Sequence, residues 1–398
     1  MRILYTHRTQ GVGAEGAHIK GMYEAFRDLG HETSMLCLPG CNPAEAPPVP
    51  AGAEAGVRTP PRKPGPAPKR LYRIIADQAP QILFEGIELA YNGLLFLQLA
   101  RRCLRNRPAL IYERYSLNTF APSLLCRLLG IKHVLEVNDS VVIERSRPLE
   151  LRAVSSFLEG CCLRSADLSI TITERFRRQL LDRFGARGIR IEVMTNAVTR
   201  RRFDRGFDRD AVRRALGLED AIVLGGAGQF LEWHGLADLV ERLGPEAKAR
   251  NLRFLFVGDG PARADVMAKA EALGVADRVH FTGMLPIDAV PGYLAVFDIA
   301  VIPKAAAHAS PMKLIEYMAM GLPIVAPDLP SVRAALMDGS MGRIFPAGNM
   351  SAMKDAILDL MADRESARAL GLKARAHVFA ELTWDRHAGE ILAILGLP

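Results

Sequence analysis

The segment Ser310-Pro311-Met312-Lys313-Leu314-Ile315-Glu316 sets a cation and a carboxylate three residues apart at the start of a predicted helix. Serine is a favoured N-cap, and proline suits the first helical position because its missing N–H would be unpaired there anyway. Gly321 and Pro323 stop the same helix. The open N–H groups and the dipole at such a start attract a phosphate. Lys313 adds a full charge to the first turn. Glu316, on the same face, can accept hydrogen bonds from a pair of ribose hydroxyls. One helix end thus offers grips for both halves of a nucleoside diphosphate. An ordinary capped helix with a surface Lys–Glu pair fits the same residues.

Such an end needs elements to aim it. Short apolar runs alternate with helical patterns along all 398 residues. The first half predicts strands near 2–6, 32–38, 109–112, 133–137, 168–172 and 190–194. The second half predicts them at 221–224, 254–257, 279–281, 299–302 and 324–326. Strand–helix alternation means parallel sheets covered on both faces. The length suits two domains, and the polar stretch 200–210 reads as the linker between them. The predicted fold is α/β: two Rossmann-like, doubly wound domains facing across a cleft, with ligands at the strand carboxyl ends. Residues 1–200 form the first domain and 201–381 the second, nucleotide-binding one.

Composition narrows the partners. Hydrophobic residues at 49% and charged residues at 24% are ordinary for a soluble globular chain. A net charge of +7 favours anionic ligands, yet it is spread out and forms no polybasic tail. No nucleic-acid module is visible. Six cysteines at 37, 41, 103, 126, 161 and 162 lack metal-ligand spacing and read as free thiols in a reducing compartment. Asp208-Arg209-Asp210 has an Asp-x-Asp pattern, but it lies in the linker rather than after a strand, so no metal site is assigned. The chain enters its first strand without a signal peptide, which predicts a cytoplasmic protein.

Residues 39–69 are proline-rich and read as a long loop. Leu71 to Arg107 then reads as mostly helical and apolar. Glu85, Glu88, Asn92 and Gln98 interrupt it, making it a poor transmembrane span. Its basic flanks suit a helix resting on an anionic membrane surface, and a buried domain helix with solvated ends fits equally. Gly11-Val12-Gly13-Ala14-Glu15-Gly16 matches Gly-x-Gly-x-x-Gly between a strand and a helix. The second strand ends in Pro39-Gly40 without the acid that a dinucleotide site wants on its ribose, which weakens a dehydrogenase reading.

Taken in order, these motifs resemble the retaining glycosyltransferases of family 4, which have the GT-B fold. The resemblance runs from the opening strand and glycine loop through Leu29-Gly30-His31-Glu32 to Thr195-Asn196-Ala197-Val198 with Phe203. It continues through Gly225-Gly226-Ala227-Gly228-Gln229-Phe230, Trp233-His234-Gly235, Val257-Gly258-Asp259-Gly260-Pro261 and Phe281-Thr282-Gly283. The Ser-Pro-x-Lys…Glu segment follows, and Leu382-Thr383-Trp384 begins a last helix. In the family that helix crosses back onto the first domain, here as 382–398. The segments Tyr112-Glu113-Arg114-Tyr115-Ser116 and Leu135-Glu136-Val137-Asn138 look like a bacterial branch serving polysaccharide or natural-product glycosylation.

The resemblance implies transfer of a sugar from a nucleotide diphosphate donor with retention, without a metal or other cofactor. The acceptor it implies is a glycan, a lipid-linked sugar or a natural product. By position, Lys313 grips the diphosphate and Glu316 the ribose, with Ser310, Pro311, Met312 and Leu314 in the same turn. Gly13 and Ala14 offer backbone N–H groups, and Gly283, Met284 and Leu285 fall where the base edge is held. Three positions depart from the pattern. Gln229 and His234 replace an arginine and a lysine on the diphosphate, and His308 replaces a sugar-binding glutamate. Asn138 stands for a catalytic-site histidine; it can bind a hydroxyl but cannot shuttle a proton. Asn138, Lys313 and His234 are the catalytic candidates. Glu15, Arg114, Tyr115 and Glu144 are acceptor candidates, although surface salt links explain such charges as well. A sugar-nucleotide 2-epimerase on the same fold and a non-catalytic nucleotide-sugar-binding protein remain the alternatives.

Overall fold

A computed structural model describes residues 1–11, 13–39, 41–45, 80–143, 148–305 and 312–398, with backbone only at Gly13, Ala14 and Glu45. The described residues divide into two compact units. The first takes in 1–45, 80–195 and 385–398, and the second 196–384.

In the first unit, β1 (Arg2–His7), β2 (Glu32–Leu36), β3 (Leu110–Tyr115), β4 (Lys132–Val137), β5 (Leu168–Thr171) and β6 (Ile191–Val193) form a parallel sheet in the order β2-β1-β3-β4-β5-β6. In the second, β7 (Ile222–Ala227), β8 (Leu252–Val257), β9 (Val279–Phe281), β10 (Ile299–Val301), β11 (Ile324–Pro327) and β12 (Arg343–Phe345) are parallel in the order β12-β11-β10-β7-β8-β9. The inner strands are almost continuous apolar runs because helices cover both faces. Leu252–Val257, for example, has five of its six residues buried. Each order reverses once, between β1 and β3 and between β7 and β10. Those reversals open the crevices in which doubly wound sheets take ligands.

Two sequence expectations change. The stretch 200–210 is not an irregular linker: it holds helix Arg200–Phe203 and the start of helix Arg209–Leu216. Phe203 is fully buried beside Val198 in the core of the second unit. A single large apolar residue among arginines gives no period to read. Asp208 caps the second of these helices by accepting the Ala211 N–H at 2.9 Å. The edge strand β12 also went unread, because three residues, one of them arginine, are too short to show alternation. The unit boundaries lie nearer 195 and 384 because Val198 pairs with Thr383 as an isolated bridge within the second unit. All six cysteines are free thiols, four of them buried. Most of the proline-rich segment 39–69 lies outside the described residues.

Candidate functional site

In the second unit, the crevice between β7 and β10 is lined by Ala227, His234, Pro303, Lys304, Lys313 and Tyr317. Helix Met312–Ala319 buries Leu314, Ile315, Tyr317 and Met318 against the sheet, which leaves Lys313 and Glu316 partly buried at its start. Gly321, at φ +69°, ends it. Tyr317 is buried and its hydroxyl accepts the Ala227 N–H at 2.6 Å, tying this helix to the end of β7. A Cβ added at Gly228 would stand 3.9 Å from Lys313 Nζ, so the ammonium rests over the turn that leaves β7.

Burial pushes the Lys313 ammonium down to about 8, with Glu316 pulling the other way. Burial raises the Glu316 carboxyl, and Arg202 and Lys313 offset part of that. His234 accepts the Leu231 N–H on Nδ1 at 2.9 Å, which leaves Nε2 to carry the proton. Its pKa falls to about 4 through burial and the nearby Lys313. This histidine is therefore a neutral N–H donor rather than a second fixed cation. Lys304 is the second cation of the crevice, held 2.5 Å from Asp238.

The loops around this crevice are packed backbone on backbone. Gly258, at φ +136°, lies so close that a Cβ there would meet the Gly228 carbonyl oxygen at 2.0 Å. Gln229 is exposed on the same turn. Gly283 follows Thr282, whose hydroxyl accepts the Gly258 N–H at 3.0 Å, so the candidate base-binding loop is fixed to the glycine turn. Met284 is exposed and Leu285 partly buried against the core. Leu314 is fully buried, so it can serve a ligand only through its backbone.

The first unit has its own crevice between β1 and β3, lined in part by Thr6, His7, Arg8, Glu113 and Arg114. Register aligns His7 with Arg114 and Arg114 with Glu136 across β1, β3 and β4. Glu136 is the hub of this row. Its carboxylate takes hydrogen bonds from the Tyr112 hydroxyl at 2.8 Å and from Arg114, and His18 Nε2 lies 2.9 Å away. Burial alone would raise its pKa, but His18 and Arg114 hold it well below the usual carboxylate range. Asn138 donates its amide Nδ2 to Glu136 at 2.5 Å, which turns its Oδ1 away from that carboxylate. Glu15 stands 3.9 Å from Arg114 Nε. Gly13 opens helix Gly13–Asp28, so the N–H groups of Gly13 and Ala14 lie in its first turn, where no helical partner exists.

The structure thus gathers Lys313, Glu316 and His234 with Gly228 in one unit, and Asn138, Arg114 and Glu15 around Glu136 in the other. Tyr115 stands apart: it is packed among Leu135, Val137 and Val141 in the core, so its side chain does not face a ligand. Glu144, His308, Ser310 and Pro311 lie outside the described residues. His7 was missed. It is buried, its Nε2 has no hydrogen-bond partner among the described residues, and burial and Arg114 lower its pKa to about 4. A polar residue closing the apolar run of β1 was the available signal. Nothing in the local sequence singled out Lys304 or the link from Tyr317 to Ala227.

Residues 13–197 match the family described as Glycosyl transferase 4-like domain, and residues 221–363 the family Glycosyl transferases group 1. The alpha-D-kanosaminyltransferase of Streptomyces kanamyceticus is 25% identical over 254 residues, 62% of this chain and 65% of that protein. The D-inositol 3-phosphate glycosyltransferase of Nocardia farcinica is 30% identical over 239 residues, 57% of this chain and 52% of that one. The chain thus spans between half and two thirds of the length of these relatives. Among solved structures, Anabaena HepE in complex with UDP shares the fold over 100% of both chains, with a TM-score of 0.69 and 16% identity.

Proposed function

The chain belongs to the GT4-type glycosyltransferases of the GT-B fold, and on that premise we propose that it moves a sugar from a nucleoside diphosphate sugar to an acceptor hydroxyl with retention of configuration and without a metal. The observation that carries this reading is the crevice between β7 and β10, where Lys313, Lys304 and His234 line one space at a helix start. That set suits a diphosphate, and these groups stabilise the charge that develops as it leaves. Glu316 meets the ribose hydroxyls.

In the reaction the acceptor oxygen bonds to the anomeric carbon on the face that the diphosphate leaves. The bond from that carbon to the phosphate oxygen breaks, and the acceptor proton passes to that oxygen. The products are a glycoside and a nucleoside diphosphate, and no protein base is needed. This chemistry accommodates asparagine at 138, whose amide can bond a hydroxyl but moves no proton. The relative named for D-inositol 3-phosphate supports a cyclitol among the acceptors to be tried.

The test supplies UDP-glucose, UDP-N-acetylglucosamine or GDP-mannose with a panel of polyol acceptors in EDTA. Product anomers are then read by proton NMR. Acceptor-dependent release of the diphosphate with an α-linked product from an α-linked donor is expected. Inverted product, or turnover lost to EDTA and restored by a divalent metal, overturns the reading.

A further inference from the structure

Helix Gln81–Arg105 is turned inside out for a surface helix. Its inward face carries two of the polar residues that interrupt its apolar sequence: Glu85 and Asn92 are buried with Leu95, Leu99 and Cys103. Both hold neighbouring loops. Glu85 accepts the Glu150 and Leu151 N–H groups at 2.9 and 2.7 Å, at the entry of helix Arg152–Ser165. Asn92 accepts the Phe120 and Ala121 N–H groups at 2.8 and 3.0 Å and donates to the Asn118 carbonyl at 2.8 Å, which closes the start of helix Ala121–Leu129. Glu88, the remaining acid of the helix, is bound to Arg8 at 2.7 Å.

The outward face is apolar but for Gln98 and the arginines at its end. Leu83, Ile87, Leu94, Leu97 and Leu104 are 55%, 41%, 53%, 63% and 81% exposed, and their spacing of three, four or seven residues sets them in one stripe. The most apolar stretch of the helix has a mean hydropathy of 1.3 and is only 22% buried. On the adjoining helix Ala121–Leu129, Leu128 is 64% exposed. An apolar stripe of this extent on a soluble surface marks a contact. Arg101 and Arg105 are exposed at its C-terminal end, with Arg127 on the adjoining helix. Among the described residues of these two helices, no carboxylate is exposed.

We propose that this stripe, Leu83 to Leu104 with its arginine end, docks the protein onto an anionic lipid surface, with helix Gln81–Arg105 lying in the plane of the headgroups. Charge selects the occupant, because the exposed arginines of these two helices, which carry no exposed carboxylate of their own, complement anionic headgroups while leucines enter the acyl boundary. Glu32, which lines a pocket with Arg105, is paired to Arg2 at 3.0 Å. The helix lies on the bilayer rather than crossing it, because Glu85 and Asn92 fasten its other face to the protein.

The test is co-sedimentation of the full chain with sucrose-loaded vesicles, either of phosphatidylcholine alone or with phosphatidylglycerol added. Binding to the anionic vesicles at low salt is expected, with weaker binding at high salt and little to the neutral ones. The pair Leu94→Glu and Leu97→Glu should reduce binding about tenfold or more. The pair Arg101→Gln and Arg105→Gln should flatten the salt dependence. Far-ultraviolet circular dichroism and cooperative thermal unfolding of each variant report that the chain is folded, and because neither these nor lipid binding involves a nucleotide or turnover, the outcome is separate from the sugar-transfer reading. Absence of binding at low salt overturns the proposal. So does equal binding by the leucine variants, or a concentration-dependent dimer that the leucine variants abolish without any vesicle binding.

Discussion

The hydroxyl of Tyr317 accepts the backbone N–H of Ala227 at 2.6 Å inside the second unit, where neither residue is exposed by more than 3%. Through it, the helix that carries Lys313 and Glu316 is pinned to the last residue of β7. Tyr317→Phe removes the acceptor and leaves a buried N–H unpaired, at a cost of about 1–3 kcal/mol. Both stability to urea and affinity for UDP should fall. Fluorescence-monitored unfolding and calorimetric titration check the pair, and a loss of stability with UDP affinity intact would mean that the link does not position Lys313.

Lys313→Ala and Glu316→Ala each remove a charge-assisted contact worth about 1.5–3 kcal/mol. The expected result is UDP bound about tenfold to a hundredfold more weakly by each variant. Lys313→Ala should bind uridine like the parent, because the proposed function puts this ammonium on the diphosphate. Glu316→Ala should weaken uridine and UDP alike. Titration calorimetry with the two ligands separates these roles.

Affinity should also depend on pH. The Lys313 ammonium, pushed down to about 8 by burial, is charged below that value and neutral above it. A diphosphate prefers the charged form, so UDP affinity should be level below pH 8 and decline above it, with proton uptake on binding in that upper range. Lys313→Gln should abolish both the decline and the uptake. Titrations in buffers of different ionisation enthalpy measure them.

Glu136 predicts an acid limit. Its folded-state pKa lies below the ordinary carboxylate value of 4.5, so the stability it contributes is fully present above about pH 4.5 and is lost as pH falls below that. Glu136→Gln should lose this pH dependence. It also leaves the cationic Arg114 without its buried partner, which destabilises by about 3–5 kcal/mol at neutral pH. Thermal unfolding of parent and variant between pH 3 and 7 tests both effects.

Much of the crevice in the second unit was legible in the sequence because its groups are local. Lys313 and Glu316 fall within one turn of helix Met312–Ala319, and glycines close to one another in the chain supply the tight loops. The row around Glu136 in the first unit was less legible. Arg114 and Glu136 lie 22 residues apart and act together only because β3 and β4 pair in register, and His7 joins them through β1. Tyr115 shows the converse, since its neighbour Arg114 lines the crevice while strand alternation turns the tyrosine into the core.

By itself, the sequence determined the alternation of parallel strands and helices, the two units and the helix start with Lys313 and Glu316. These follow from periodicity, capping and charge carried by residues near one another in the chain. Tertiary structure decided what each charge does. Packing near Lys313 made His234 a neutral donor, and burial among His18, Tyr112 and Arg114 made Glu136 a fixed anion that orients Asn138. Long-range pairing also turned Glu85 and Asn92 inward and left Leu83, Leu94, Leu97 and Leu104 of the same helix outside. Periodicity marks an apolar face, but which face meets the core depends on the loops that need hydrogen bonds there, and those come from distant parts of the chain.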